Sequence, residues 1–104
     1  MKVKYRPAAI ADILDTCDYI TEKLKNPEAA DSLKLRLLDS ISLLKDNPFM
    51  GELLISRFDE LDPKLDYRFL IVSKQLVFYR VEEEIIEVVR ILDSRTDYLS
   101  ILLQ

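Results

Sequence analysis

The sequence predicts an α+β fold in which an N-terminal strand and an antiparallel helical hairpin precede a C-terminal antiparallel β-meander. Two observations carry this prediction: apolar residues recur every three or four positions in the first half, and β-branched and aromatic runs fill the second half. A chain of 104 residues, 49% of them hydrophobic, is enough for one core. We therefore expect a single domain over residues 1–104, with the hairpin packed on the sheet.

The first five residues alternate Val3 and Tyr5 with lysines, which is typical of a short strand, and Pro7 ends it. We expect this strand at the edge of the sheet. Residues 8–25 predict an amphipathic helix, because their apolar side chains fall at spacings of three and four. These side chains are Ile10, Ile13, Leu14, Cys17, Ile20 and Leu24.

A second helix is predicted to begin at Asn26-Pro27-Glu28. Asn26 is a suitable capping residue, Pro27 fits the first helical position, and the acid of Glu28 favours the positive helix start. Its apolar positions are Ala30, Leu33, Leu37, Leu38, Ile41 and Leu44. Asn47-Pro48 then biases the chain out of helical geometry.

Residues 49–63 contain the only glycine and show no sustained periodicity, so we expect a connecting loop, which can include a short strand. Three strands are predicted after it, over residues 67–72, 76–81 and 85–92. Their connectors are too short for a crossover helix, so consecutive strands pair antiparallel. The tail, residues 94–104, is expected to form a short helix or an apolar arm.

The composition excludes several kinds of chemistry. The chain has one cysteine, Cys17, and no histidine, which excludes an intramolecular disulfide, a Cys/His zinc site and every Ser-His or Cys-His nucleophile. We expect no metal and no cofactor. A net charge of −4 has the wrong sign for binding phosphates over a broad surface, so sequence-specific DNA binding by this chain alone is not expected.

The sequence also bears on where the protein acts. No apolar run approaches the roughly 20 residues that cross a bilayer, so no membrane association is expected. The first ten residues lack the apolar core of a secretory signal. The cytoplasm is therefore the expected location.

Four arginines are candidate functional residues: Arg68, Arg80 and Arg90 on the three strands, and Arg95 just after the last. If they converge on one surface, their guanidinium groups suit phosphate or carboxylate ligands. The alternative is that each is an ordinary surface arginine beside one of the 19 carboxylates.

Other polar and aromatic residues have simpler interpretations. Tyr67 and Tyr79 are expected to fill the interface between sheet and helices, and Cys17 to act as a buried small hydrophobe. The three consecutive glutamates from Glu82 to Glu84 point in different directions and predict a solvated turn instead of a metal site.

The order of elements resembles the RelE/ParE superfamily of type II toxin–antitoxin toxins. The likeness rests on residues 5–13, YRPAAIADI, on the strands YRFLIV and LVFYRV, and on residues 89–98, VRILDSRTDY. The last segment is similar to a pattern of the ParE-like branch in which histidine is usual where Asp93 stands. The resemblance spans nearly the whole chain, and the joint order of these motifs is its most specific feature.

The resemblance implies one of two activities. RelE-like toxins cleave mRNA in the ribosomal A site, whereas ParE-like toxins bind DNA gyrase and block replication. For cleavage, Arg68 and Arg95 would stabilise the transition state and Asp93 would serve as the base. Because Leu76 and Asp93 replace an arginine and a histidine of RelE-like enzymes, the ParE-like, non-enzymatic reading is favoured; an inactive, antitoxin-binding relative is a further alternative.

The resemblance also implies a cognate antitoxin as partner, which folds on binding and lies over apolar surface. Candidate contacts to the antitoxin or the target are Arg80, Arg90, Phe49, Met50, Tyr98, Leu99 and Leu102. The negative net charge predicts an antitoxin segment with compensating lysines and arginines.

Overall fold

In the computed structural model, which describes residues 1–103, a strand leads directly into a helical hairpin. Strand β1 spans Lys2–Tyr5, helix α1 Pro7–Glu22 and helix α2 Pro27–Ser42, and a 3-10 turn follows over Leu43–Lys45. The two helices pack against each other, and α1 also packs on the last strand of the sheet. The predicted hairpin is thus confirmed.

Local chemistry explains where the helices begin and end. The Asn26 side chain accepts a hydrogen bond from the backbone N–H of Ala29 at 3.1 Å, and Pro27 occupies the first position of α2, as predicted. Helix α1 ends at Glu22, three residues earlier than expected. Lys25, in the connection, has a positive φ of 53°, a conformation that helical residues do not adopt.

The sheet has five strands in the order β1-β5-β4-β3-β2. The remaining strands are β2 (Glu52–Leu53), β3 (Arg68–Val72), β4 (Gln75–Glu82) and β5 (Ile85–Asp93). Strands β3 to β5 form the predicted antiparallel meander, and β1 lies at an edge, as expected. Strand β1 pairs with β5 in parallel, so the whole sheet is mixed.

A β-bulge interrupts β5 where its partner β1 ends. Tyr79 faces Val88 and Phe78 faces Arg90, which leaves Val89 as the extra residue. Strand β1 pairs no further than Tyr5 with Val88, so the outer edge of β5 is open beyond this point. Residues 85–92 form an apolar, β-branched run that is interrupted only by Glu87 and Arg90, and this pattern gave no sign of the bulge.

Both faces of the sheet are buried. The core between the helices and one face of the sheet consists of Ala9, Ile13, Leu37, Ile41, Leu44, Val72, Val77, Tyr79, Ile86, Val88 and Ile91. A second core covers the other face of the sheet and consists of Leu54, Phe69, Leu76, Phe78, Val89, Leu92 and Leu102. Side chains of residues 58–67 and of helix α3 (Tyr98–Leu102) pack against it. The tail is therefore a short helix that covers the sheet, one of its two predicted forms.

Candidate functional site

A short loop at residues 48–51 carries two of the predicted contact residues, Phe49 and Met50, and both side chains are exposed. The Phe49 side chain is 63% exposed, the largest exposed fraction among the large hydrophobic residues of the described chain. Because aromatic residues are enriched at protein–protein interfaces, Phe49 stays a candidate contact for a partner protein.

Two side chains from the sheet hold this loop in place. The Tyr79 hydroxyl accepts a hydrogen bond from the Gly51 N–H and donates one to the Pro48 carbonyl oxygen, both at 2.9 Å. Arg68 donates to the carbonyl oxygens of Gly51, at 2.8 Å, and Phe49, at 3.3 Å. Its guanidinium carbon lies 5.1 Å from the centroid of the Phe49 ring, within range of a cation–π interaction. The loop thus displays Phe49 from a fixed base.

Asp93, the last residue of β5, forms a closed pair with Arg95. Arg95 donates through Nε at 2.9 Å and Nη2 at 2.7 Å to the two carboxylate oxygens, and its backbone N–H donates to the same carboxylate at 2.8 Å. These hydrogen bonds lower the pKa of Asp93 to about 2. The Asp93 carboxylate is therefore a very weak base at neutral pH.

Arg68 lies far from this pair. Arg68 faces Tyr79 across the sheet, whereas Asp93 faces Gln75, four residues away along β4. At roughly 3.3 Å per residue, this offset is about 13 Å. Of the three residues predicted for an endonuclease mechanism, Asp93 and Arg95 therefore form a pair, and Arg68 lies apart from them.

The four arginines do not converge on one surface. Arg80 follows Tyr79 in β4, so its side chain points to the face opposite Arg68, where it pairs with Asp66 at 2.8 Å and Glu82 at 3.0 Å. The hydrogen bond that Arg80 donates to Asp66 is the main cause of the raised pKa of Arg80. Each side of the sheet carries its own ion pairs.

Arg90 is held by a carboxylate from the first helix. Asp12 accepts hydrogen bonds from Arg90 Nε and Nη2, both at 2.8 Å, and from the backbone N–H of Ile91 at 2.9 Å. At the open edge of β5, the Asp12 carboxylate accepts the backbone hydrogen bond that a neighbouring strand would otherwise accept. Arg90 is therefore engaged in the fold, and its pKa is raised by the Asp12 hydrogen bond.

The prediction that Leu102 contacts a partner requires correction. Leu102 is 7% exposed and packs into the chain's own core with Phe78 and Leu92, which leaves little of its surface for another protein. Tyr98 and Leu99 are partly buried in the same cluster, and the Tyr98 ring centroid lies 5.5 Å from that of Phe78.

Two features escaped the sequence reasoning. Asp12 carries no signal of its role in the sequence, because its partners lie 78 and 79 residues away. An apolar groove between β1, α1 and α2, lined by Ile10, Leu14 and Leu38, was also missed. The apolar stripe of α1 is broader than one buried face needs, and this width was the feature of the sequence that could have predicted the groove.

These elements define an α+β domain in which a helical hairpin packs on a five-stranded mixed sheet. The family model described as "ParE toxin of type II toxin-antitoxin system, parDE" matches residues 3–98. The chain belongs to this family of toxins, as its resemblance implied. None of the curated proteins matches the chain.

A solved structure shares the fold. A chain of the chromosomal ParDE TA system from P. aeruginosa superposes with a TM-score of 0.72 at 20% sequence identity, over 89% of this chain and 95% of that chain. No helix in residues 1–103 is long and apolar enough to cross a membrane.

Proposed function

We propose that this chain inhibits bacterial growth in the cytoplasm by binding DNA gyrase, without cutting RNA, and that a cognate antitoxin neutralises it. Membership of the ParE toxin family supports the toxin role. The observation that carries the non-enzymatic mechanism is the closed Asp93–Arg95 pair, which lies away from Arg68.

The chemistry of RNA cleavage explains why this pair matters. Attack by a 2′-hydroxyl group on a phosphodiester needs a base whose pKa lies near the operating pH, and it needs a cation that stabilises the developing negative charge. The pKa of Asp93 is about 2, far below neutral pH, and the charge of Arg95 is already compensated by Asp93. Leu76, where RelE-like enzymes carry an arginine, is buried in the core and supplies no cation.

Binding to a protein target needs different features, which the described surface offers. The Phe49 ring stands in solvent on an anchored loop, and the Arg95 side chain is 70% exposed although paired. Aromatic side chains and arginines carry much of the free energy of protein–protein binding. An anchored loop also loses little conformational entropy when it binds.

The test is inducible expression of the chain in a bacterial host, with and without the adjacent gene, which we expect to encode the antitoxin. Messenger RNA 5′ ends are mapped in the same cells, and DNA supercoiling by purified gyrase is assayed with purified toxin. We expect growth arrest that the adjacent gene relieves, inhibition of supercoiling and intact mRNA. New 5′ ends within translated messages would overturn the proposal in favour of ribosome-dependent cleavage.

Two arginine variants sharpen this experiment. Arg95→Ala removes an exposed, acid-paired guanidinium near the end of the sheet, and Arg57→Ala removes one that is paired with Glu52 in the connecting segment. Both variants lose the same charge. We expect Arg95→Ala to weaken gyrase inhibition and Arg57→Ala to leave it unchanged. Growth without arrest for the unaltered chain would indicate an inactive relative.

A further inference from the structure

A pocket of 310 Å³ lies where the end of helix α1 meets the turn between β3 and β4. It shares no lining residue with the groove between β1, α1 and α2. The helical hairpin and the sheet supply different walls. The hairpin contributes an apolar wall made of Tyr19, Ile20, Leu24 and Leu33, whereas the turn and the strand ends contribute a polar wall.

Gln75 is the centre of the polar wall. It is 8% exposed and is the only buried residue with an amide or charged side chain in residues 1–103. Its backbone pairs with Val72 and Asp93 at the first position of β4. Its side-chain amide makes no hydrogen bond within residues 1–103, although every fully enclosed side-chain nitrogen or oxygen in that range has a partner. The amide atoms therefore open into the pocket and are not sealed in the core.

A nearly buried amide without a protein partner is unfavourable, and in native proteins such a group usually bonds to water or to a ligand. The Gln75 side chain offers two N–H donors and one carbonyl acceptor. The apolar side chains of Ile20, Leu24 and Leu33 on the opposite wall cannot satisfy them. A polar group that enters the pocket therefore gains a hydrogen bond that the chain itself does not make.

The charge of the polar wall favours an anion. Two cations, Lys74 and Arg95, and one acid, Asp93, line the pocket. Arg95 binds the Asp93 carboxylate at 2.7 and 2.9 Å, whereas no ion pair found in residues 1–103 includes Lys74. Arg95 is the main cause of the lowered pKa of Asp93, and the nearby charge of Lys74 adds to it. Lys74 is thus the cation that a ligand can use.

The volume of the pocket limits the size of its ligand. At about 30 Å³ per water molecule, the space corresponds to roughly ten waters, or to a ligand of about ten non-hydrogen atoms. Natural ligand sites begin at about 300 Å³. Because one wall is apolar and the other carries the amide and the cation, the fitting ligand has one apolar end and one polar end.

We propose that this pocket binds a small aliphatic carboxylate, with the size of a medium-chain fatty acid. The carboxylate accepts hydrogen bonds from the Gln75 amide and the Lys74 ammonium group, and the aliphatic chain lies against Ile20, Leu24 and Leu33. This site is separate from the proposed inhibition of gyrase, because its occupation requires neither gyrase nor the antitoxin.

The probe is octanoate, and its binding is followed in amide NMR spectra of the isotope-labelled full chain. The sequence has four carboxamide side chains, Asn26, Asn47, Gln75 and Gln104, so Gln75→Leu assigns the Gln75 signal by its disappearance. We expect octanoate to shift this signal with a dissociation constant of about 1 mM or lower. Octylamine, which has the same chain and a cationic end, should bind at least about tenfold more weakly.

Three variants locate the carboxylate. Lys74→Gln should weaken octanoate binding at least about threefold, because it removes the cation of the polar wall. Lys64→Gln is the matched control, since this exposed lysine lies outside the pocket and makes the same change of charge. Gln75→Leu, followed through the backbone signals of residues 73–75, should weaken octanoate by a similar factor.

Urea denaturation without ligand checks that each variant is folded, and it also tests the role assigned to Gln75. Gln75→Leu replaces an unpaired amide with an apolar side chain of similar size, so the variant should be at least as stable as the original chain. A large loss of stability would show that the amide is bonded within the fold, and it would overturn the proposal.

Three binding results would also overturn it: a Gln75 signal that octanoate does not shift, equal binding of octanoate and octylamine, or equal effects of Lys74→Gln and Lys64→Gln. Octanoate that binds instead in the groove lined by Ile10 and Leu14 gives the first of these results, with shifts at those two residues. Growth arrest and gyrase inhibition are measured separately. Octanoate binding by a chain that does not inhibit gyrase would keep the pocket and reject the proposed function.

Discussion

The hydroxyl group of Tyr79 joins the centre of the sheet to the exposed loop that carries Phe49. Tyr79 is fully buried, and its hydroxyl bonds to the Gly51 N–H and the Pro48 carbonyl oxygen, so a core residue fixes the base of a surface protrusion. Burial is the main cause of the raised pKa of Tyr79. Its hydroxyl therefore stays protonated and acts as a structural link near neutral pH.

This contact explains the only glycine of the chain. A Cβ atom at Gly51 would lie 2.5 Å from the Tyr79 hydroxyl oxygen and 2.9 Å from the Phe69 carbonyl oxygen. We predict that Gly51→Ala lowers the free energy of unfolding by about 1–3 kcal/mol, because an overfilled site must shift its neighbours. Urea denaturation measures the loss.

The Gly51→Ala and Tyr79→Phe double variant is the control. Removing the hydroxyl relieves one of the close approaches, so the two losses should add up to more than the loss in the double variant. Strictly additive losses, or a Gly51→Ala variant as stable as the original chain, would contradict this account of the loop.

The carboxylate of Asp12 closes the open edge of β5 with three hydrogen bonds. We predict that Asp12→Ala lowers the free energy of unfolding by about 2–3 kcal/mol, since it leaves Arg90 and the Ile91 N–H without their partner. Asp15→Ala, an exposed position on the same helix, should change it by less than about 0.5 kcal/mol. Chemical denaturation of both variants measures the difference, and equal losses would refute the assigned role of Asp12.

The sequence predicted those features of the fold that depend on local patterns. The spacing of Ile10, Ile13 and Cys17 gave helix α1, and the short connectors gave the antiparallel meander. The parallel pairing of β1 with β5 joins residues more than 80 positions apart, for which no local pattern exists. The bulge at Val89 could not be predicted either, because the sequence does not distinguish a valine in a bulge from a paired valine.

The candidate site was less predictable because it depends on contacts between distant residues. Phe49 and Met50 were found from their place in an irregular apolar loop, and both are exposed. The partner of Arg90 comes from helix α1, and nothing in the strand indicates it. The tail was expected to be apolar, but whether Leu102 faces solvent or the core depends on the sheet beneath it.

Asp93 should make stability depend on pH in an acidic window. Its pKa in the folded chain is about 2, below the ordinary value of 3.8, so its contribution is present above pH 3.8 and is lost as the pH falls through about 2. We predict that Asp93→Asn lowers the free energy of unfolding at pH 7 by less than about 1 kcal/mol, since Arg95 is exposed and solvent screens the pair.

The measurement compares Asp93→Asn with the original chain by urea denaturation at pH 7, 4, 3 and 2. The difference in unfolding free energy should shrink between pH 4 and pH 2 and also in high salt. Asp46→Asn, at an exposed position, serves as the control. A difference that stays constant down to pH 2 would show that Asp93 contributes through its shape and not through its charge.

Phe49 should matter for function and not for stability. We predict that Phe49→Ala changes the free energy of unfolding by less than about 0.5 kcal/mol, because its side chain is mostly in water. The same variant should weaken gyrase inhibition or antitoxin binding by about fivefold or more if the ring is an anchor. Leu35→Ala is the matched control, since Leu35 is 62% exposed and lines no described groove. Equal activity of the two variants would remove Phe49 from the interface.

Leu102 should behave in the opposite way. Its side chain fills the core between α3 and the sheet, so we predict that Leu102→Ala lowers the free energy of unfolding by about 2–3 kcal/mol through the cavity it leaves. The neighbouring Leu103 is 39% exposed, so Leu103→Ala should lower the free energy of unfolding far less. Thermal unfolding of both variants, followed by co-purification with the adjacent gene product, separates the two roles. A stable Leu102→Ala variant that loses its partner would restore Leu102 to the binding surface, whereas an unstable one that still binds when folded places it in the core.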